Sequence, residues 1–375
     1  MAYDPTFLAP VQHLLDDESV SEVLINGPKE IFVERKGMLE KTEVSFYDDQ
    51  ALLAAVRHIA QSVGRRIDED HPTLDARLPN DGSRVHAVLP PCSRQGVVLS
   101  IRKFGSSVPT FPDLIQRGTL SNDAARFLKL CVYLAKNTII SGGTGSGKTT
   151  LLNVMGSLVP KTQRVLVIED ASELKIRADH VVCFETKAAN ASGLGAVSIR
   201  DLIKSALRLR PDRIIVGEVR GPESLDLITA MNTGHGGSMG TTHANTPYDA
   251  LVRLETLAMM GDSNVPVMAI RRQIAAAIHI VVQIKRMADG TRKITNISEV
   301  VPDVDEHGRY QIRDIYAFVQ TGRTADGKIL GEHVPLGVVP SFFHEIELNR
   351  LPFTRETFQM PDWLRQRIEK NQNVA

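Results

Sequence analysis

Short alternating apolar runs dominate the first hundred residues and predict an α+β region. One apolar face at helical spacing runs through 51–63. Two shorter runs at 22–26 and 30–34 are separated by Gly27-Pro28, a turn signal, and predict paired strands. Elements of the same kinds are predicted at 8–15 (helix) and at 38–46, 74–78, 83–89 and 96–101 (strands).

The rest of the chain alternates helical and strand-like periodicity, which is typical of a parallel α/β sheet. Beyond residue 280 two strand-like runs flank Asp289-Gly290, a hairpin signal, so we expect an antiparallel extension. The predicted helices are 122–135, 149–158, 199–209, 222–231, 247–260 and 265–278. The predicted strands are 138–140, 164–169, 213–218, 237–242, 280–285, 293–300 and 310–319.

A stretch near residue 105 predicts a domain boundary. Residues 105–112 hold small residues, two prolines and no periodicity, which is typical of a linker. A chain of 375 residues is also longer than one ordinary domain. We therefore predict an N-terminal domain over 1–104, a linker over 105–118 and a C-terminal domain over 119–375. The alternative is a surface loop inside one domain.

Composition narrows the classes of protein that fit. The chain has 44 basic and 44 acidic residues, which argues against a nucleic-acid binder. Its three cysteines are widely spaced, so a disulfide framework is not expected. Cys131 and Cys183 lie in apolar runs and are predicted to be core residues. No signal peptide and no membrane-spanning run is evident, so we expect a cytoplasmic protein without a transmembrane segment.

A glycine-rich segment between a strand and a helix carries the strongest chemical signal. It has the form G-x-x-x-x-G-K-T, in which backbone N–H groups and the helix dipole face an anion. Lys148 is expected to reach the β- and γ-phosphates of ATP, and the Thr149 hydroxyl to hold Mg²⁺. The alternative is a glycine-rich turn before an ordinary helix. The predicted binding residues are Gly142, Gly143, Thr144, Gly145, Ser146, Gly147, Lys148, Thr149 and Thr150.

Carboxylates follow two of the predicted parallel strands. Glu169, Asp170 and Glu173 come at the end of one strand, and Glu218 ends the next. Carboxyl ends of parallel strands share one edge of a sheet, where open α/β sheets bind ligands. We therefore expect Glu169 or Asp170 to hold Mg²⁺ through water, and another carboxylate to orient or deprotonate the attacking water. For any one of them the alternative is a solvated surface role.

Two histidines flank the strand predicted at 237–242. His243 ends that strand beside two threonines, which is a suitable position for a sensor of the γ-phosphate. The alternative for His243 is a structural role. For His235, which precedes the strand, the two interpretations have equal weight.

Taken together, these motifs resemble those of the bacterial type II/IV secretion traffic ATPases. The chain is most similar to the CpaF-like ATPases of tight-adherence (Tad, Flp or type IVc) pili. The resemblance extends from near residue 15 to near residue 350. The motifs that carry it lie at 21–26, 81–85, 100–104, 142–150, 168–174, 210–220, 230–235 and 241–247.

The resemblance implies an architecture and partners. Family members are homohexameric rings of two-domain subunits, with an N-terminal α+β domain and a RecA-like P-loop ATPase domain. ATP is held between the two domains, and its hydrolysis moves one domain against the other. The ring works on inner-membrane platform proteins, so peripheral association with that membrane is expected. The tetracysteine module of some type II secretion relatives is absent, and no zinc is expected.

The resemblance also assigns roles to individual residues. Glu173 falls at the position of the general base, and Glu218 is the Walker B glutamate. Arg84 and Arg102 match arginines of the N-terminal domain that reach the phosphates, although both could instead be solvated strand-edge residues. The remaining matched residues are the two histidines of the His box, His235 and His243.

The function predicted from the sequence is an ATPase motor for assembly, and possible retraction, of a Tad-type pilus, or for secretion through an inner-membrane complex. One alternative is a type IV secretion ATPase. Another is a P-loop protein that translocates nucleic acid, against which the His box and the neutral charge argue. A third is a nucleotide-gated scaffold without turnover, against which Glu173 and Glu218 argue.

Overall fold

The computed structural model describes residues 3–35, 37–103, 109–187, 189, 194–261 and 265–372. The chain forms two compact units, Met1–Ser107 and Val108–Ala375. None of the helices in the described part of the chain has the length and apolarity that a bilayer crossing requires.

In its described residues the first unit is a six-stranded antiparallel sheet with two α-helices. Its strand order is β3-β2-β1-β6-β5-β4. The amphipathic helix predicted over 51–63 begins at Asp49, where the side chain of Asp48 accepts a hydrogen bond from the backbone of Ala51. The elements are α1 (Ala9–Asp16), β1 (Val20–Asn26), β2 (Ile31–Arg35), β3 (Met38–Lys41), α2 (Asp49–Ser62), β4 (Thr73–Arg77), β5 (Arg84–Val88) and β6 (Val98–Arg102).

The second unit is built on a nine-stranded mixed sheet. Its order is β15-β14-β13-β12-β7-β11-β10-β8-β9, in which β12 to β9 run parallel and β13 to β15 are antiparallel. The inner strands β7, β8, β10 and β11 are buried at every position, as strands covered on both faces must be. The strands are β7 (Thr138–Ser141), β8 (Val165–Glu169), β9 (Val181–Glu185), β10 (Arg213–Val216), β11 (Met239–Thr242), β12 (Ile280–Arg286), β13 (Arg292–Val304), β14 (Tyr310–Arg323) and β15 (Ile329–Pro335).

Helices cover both faces of this second sheet, and each face has its own apolar cluster. One cluster includes Leu128, Leu151 and Phe358, and the other includes Ile203, Ile228 and Leu254. The helices are α3 (Phe111–Gln116), α4 (Asn122–Tyr133), α5 (Lys148–Gly156), α6 (Ile199–Ala206), α7 (Glu223–Asn232), α8 (Pro247–Met259), α9 (Val267–Ala277), α10 (Phe343–Leu348) and α11 (Asp362–Gln372). The predicted α/β fold, with its N-terminal α+β unit and C-terminal antiparallel strands, is confirmed.

The structure differs from the sequence-based expectations in the linker and at Cys183. Residues 104–108, at the start of the predicted linker, lie outside the described residues, but further along it the chain forms the helix α3 with Phe111 and Leu114 buried. Thr110 and Asp113 form a capping box that starts this helix, and Pro112 is compatible with it because a residue of the first turn needs no N–H for the helix. Cys131 is buried as expected, whereas the prediction for Cys183 was wrong: it is exposed because β9 is an edge strand.

Candidate nucleotide-binding and hydrolysis site

The glycine-rich segment 142–150, called the P-loop below, connects the central strand β7 to helix α5. β7 is buried between β11 and β12, so its carboxyl end is fixed from both sides. Gly145 and Gly147 take φ values of 66° and 102°, which L side chains rarely adopt. A Cβ on Gly142 would lie 2.2 Å from the carbonyl oxygen of Ile284. The spacing of the glycines is therefore required by the turn and by the neighbouring strand.

Lys148, the first residue of α5, points back into the loop. Its side chain is 7% exposed. Its Nζ donates to the carbonyl oxygens of Gly142 at 3.0 Å and Gly143 at 2.9 Å, and it lies 3.5 Å from Nδ1 of His243. An ammonium held at the rim of a turn of backbone N–H groups is suited to bind the phosphates of a nucleotide.

His243 and Glu218 extend this arrangement along the carboxyl edge of the sheet. Nε2 of His243 lies 2.9 Å from Oε1 of Glu218. That oxygen is buried and accepts no well-aligned hydrogen bond from any residue that the structure describes. The other carboxylate oxygen accepts a hydrogen bond of 2.7 Å from Arg220. Glu218 therefore presents one buried acceptor oxygen close to Lys148 and His243.

The charges around Glu218 determine its ionisation and that of His243. Burial opposes ionisation of Glu218, but the hydrogen bond and charge of Arg220, with His243 and Lys148, hold the pKa of Glu218 below its ordinary value. Burial, followed by the positive charge of Lys148, lowers the pKa of His243. An ammonium can only donate, so Nδ1 of the neutral ring accepts from Lys148 and Nε2 carries the proton that faces Glu218.

Glu169 is buried below the loop that carries Asp170 and Glu173. Its Oε1 accepts hydrogen bonds from the backbone N–H groups of Glu173 at 2.9 Å and Leu174 at 3.0 Å. The carboxylate of Asp170 is half exposed and lies 3.9 Å from Arg220. Glu169 thus holds the loop, while Asp170 and the backbone position of Glu173 lie at its surface.

His235 is not near the P-loop in the second unit. It precedes β11, whereas Lys148 follows β7, and these strands are parallel with Met239 opposite Thr138. His235 therefore lies at the amino edge of the sheet, with Nδ1 3.2 Å from the carbonyl oxygen of Ala230. Only His243 of the two predicted histidines is at the carboxyl edge.

Arg84 and Arg102 are neighbours in the first unit. They are directly opposite each other in the antiparallel pairing of β5 and β6. Arg102 is exposed and also lies opposite Glu22 of β1. Two guanidinium groups are thus placed together on one sheet, and their role in catalysis stays a prediction.

Three further residues of the site were not among those predicted. Arg220 links the carboxylates of Glu218 and Asp170. Gln283 donates to the carbonyl oxygen of Ala244 at 3.1 Å and so anchors the segment after His243. Arg292 donates to the P-loop itself. Arg220 stands beside Glu218 in the sequence and could have been suggested, but Gln283 and Arg292 are far from the loop along the chain.

Comparisons with known proteins identify the family of the chain and its fold. A family model described as "Type II/IV secretion system protein" matches residues 6–325. A Mycobacterium tuberculosis protein named for conjugal transfer is 36% identical over 77% of this chain and 83% of its own length. The type IV secretion system protein VirB11 of Brucella suis is 31% identical over 78% of this chain and 88% of its own length. The X-ray structure of the ATPase DotB of Yersinia pseudotuberculosis has a TM-score of 0.54 at 18% identity, covers 80% of each chain, and shows the fold alone.

Proposed function

The chain belongs to the type II/IV secretion system protein family, and we propose that it is an ATPase motor that hydrolyses ATP to drive a bacterial secretion or pilus-assembly machine. The observation that carries this proposal is the chain of side-chain contacts from Lys148 to His243 and from His243 to Glu218. Their contacts of 3.5 Å and 2.9 Å bring a phosphate-binding ammonium, a neutral imidazole and a buried carboxylate oxygen to one edge of the sheet.

In the proposed reaction the P-loop binds the phosphates through its backbone N–H groups and Lys148. The buried oxygen of Glu218 accepts a hydrogen bond from the attacking water and orients it, and Glu173 acts as the general base. His243 donates from Nε2 and senses the γ-phosphate. Only a neutral ring can accept from Lys148 and donate at its other nitrogen.

The donor set fits Mg²⁺ at one position of the site. The Thr149 hydroxyl follows Lys148 directly, and the exposed carboxylate of Asp170 can reach a metal through water. Glu169 fits less well, since one of its oxygens already accepts two backbone hydrogen bonds. Bound Mg²⁺ would neutralise charge on the phosphates, held by Thr149 and Asp170.

We make two alternative proposals for the machine that the ATPase drives. The names of the relatives, conjugal transfer and type IV secretion, favour transport through a type IV secretion system. The motif set described above favours assembly of a Tad-type pilus. In both proposals a homohexamer acts from the cytoplasm on inner-membrane partners. Purification of the tagged chain with neighbouring membrane proteins distinguishes them: a pilus platform would support the second, and a conjugation or effector-transport complex the first.

The direct test of the ATPase proposal is Lys148→Ala. Removal of a preorganised cation from the phosphates is expected to lower phosphate release by about 10²-fold or more. Lys161→Ala, which removes an exposed lysine beyond the carboxyl end of α5, is the matched control. Phosphate release by wild-type protein and by Lys148→Ala at the same rate would contradict the proposal.

A further inference from the structure

The hairpin formed by β12 and β13 lies directly against the P-loop. β12 pairs with β7 in parallel, and Gln283 is opposite Ser141. The chain beyond Gln283 therefore continues beside the loop that follows Ser141. A Cβ on Gly147 would lie 3.4 Å from Cδ1 of Ile284 and 3.5 Å from Cδ of Arg292. The antiparallel extension is thus in van der Waals contact with the loop.

Arg292 makes a specific contact from this hairpin. Its Nε donates to the carbonyl oxygen of Gly145 at 3.1 Å. Arg286 lies near the same glycine, where a Cβ would be 3.9 Å from its Nη1. Among the described residues, however, no hydrogen bond joins Arg286 to the loop. The two arginines therefore bring similar charge to the loop, but only Arg292 holds a loop carbonyl.

The contact of Arg292 with the Gly145 carbonyl fixes the orientation of one loop peptide. Gly145 and Ser146 share one planar trans peptide, in which the C=O and N–H bonds point in opposite directions. Arg292 binds the C=O from the hairpin side, and the Ser146 N–H on the other side of the peptide donates to the carbonyl oxygen of Gly143 at 3.4 Å, inside the loop. Because Gly145 lacks a Cβ and has a φ of 66°, other orientations of this peptide would be accessible without that contact.

We propose that Arg292 is a positioning residue for nucleotide binding, which holds the Gly145 carbonyl on the hairpin side and so keeps this oxygen away from the phosphates and the loop in its binding conformation. This rests on the proposed function, in which ATP occupies the loop. It also gives the antiparallel extension a role, since β13 begins at Arg292 and connects the loop to β14 and β15.

The test compares Arg292→Ala, Arg292→Lys and Arg286→Ala with wild-type protein. A loop conformation that is needed in both the ground state and the transition state contributes uniform binding. Arg292→Ala is therefore expected to raise the KM for ATP and the Kd of a fluorescent ATP analogue about tenfold, the scale of one charge-assisted hydrogen bond. kcat should change much less. Arg292→Lys, which can still donate to Gly145, should recover part of the affinity.

Two controls keep the outcomes separate. Arg286→Ala removes the same charge from the same hairpin, and it should raise the Kd much less than Arg292→Ala. Thermal unfolding checks that each variant is folded. If Arg292→Ala does not fold, the affinity of Arg292→Lys is compared with that of the wild-type protein instead. Unchanged affinity in a folded Arg292 variant, or equal losses in Arg286→Ala and Arg292→Ala, would overturn the positioning role and leave the ATPase proposal standing. Failure of the wild-type protein to bind the analogue would overturn both.

Discussion

Substitution of Glu218 by glutamine tests whether its buried oxygen serves the reaction. The change keeps the shape of the side chain and removes its charge. The amide oxygen of the new side chain would still accept a hydrogen bond from Arg220, but the side chain could no longer act as a carboxylate acceptor for water. Loss of such a group typically lowers turnover about 10²- to 10⁴-fold. ATP affinity should be retained, since the P-loop makes most of the phosphate contacts.

The expected effect on stability is small by comparison. The partners of Glu218 are partly exposed, at 56% for Arg220 and 40% for His243. Ion pairs with exposed partners contribute about 0–1 kcal/mol, so the free energy of unfolding should change by no more than that. A large loss of kcat without a matching loss of stability would therefore identify a catalytic group.

The assay combines steady-state phosphate release, binding of a fluorescent ATP analogue and thermal unfolding. Glu306→Gln, at an exposed glutamate of the β13–β14 turn, is the control for the same chemical change elsewhere. Glu173→Gln, measured in parallel, should also bind ATP and turn over slowly if it is the general base. Wild-type kcat in Glu218→Gln, or equal losses of binding and turnover, would refute the reasoning from the buried oxygen.

Three more predictions concern other parts of the chain. Arg102→Ala is expected to slow hydrolysis by about 10³-fold if this arginine reaches the phosphates; full ATPase activity in a variant whose mass by light scattering equals that of the wild-type protein would reject that role. Activity should be retained through the ordinary pKa range of histidine and should decline only at more acidic pH, below the lowered pKa of His243, where the protonated ring repels Lys148. Because the pKa of His243 is lowered in the native state, the unfolded chain takes up this proton more readily, and the free energy of unfolding should also fall in this acid range. His243→Gln should flatten the pH profiles of both activity and stability. Arg213→Ala should lower the free energy of unfolding by about 2 kcal/mol or more, because it removes the Arg213 donor from the buried carbonyl of Gly237 and one of the donors to the carbonyl of Val132; a denaturation midpoint equal to that of the exposed control Arg208→Ala would contradict this.

The local pattern of the chain was enough to predict the central elements of the fold. The strands β7, β8 and β10 are short apolar runs, and each ends where a polar loop begins. The spacing of the apolar residues and the length of each run are therefore enough to identify them. The P-loop motif likewise requires only its own glycines, Lys148 and the helix that follows. Interactions between residues close in sequence dominate both features.

Elements that depend on distant packing were not predicted. Helix α3 forms in a proline-containing stretch because Phe111 and Leu114 have a core to enter. The edge strand β9 leaves Cys183 exposed, although the sequence around it is apolar. The strand β15 is half polar, and its pairing with β14 stabilises it. Propensity is weak in these segments, and tertiary contacts decide their structure.

Local motifs alone predict a phosphate-binding loop, carboxylates after parallel strands and two candidate histidines. Which of these residues lie close together depends on the arrangement of the strands in the sheet. Strand order puts β11 and β12 on either side of β7, and this brings His243 and Arg292 to the P-loop while it leaves His235 at the other edge. Strand order is set by how apolar faces are buried across the whole sheet, and no short motif encodes it.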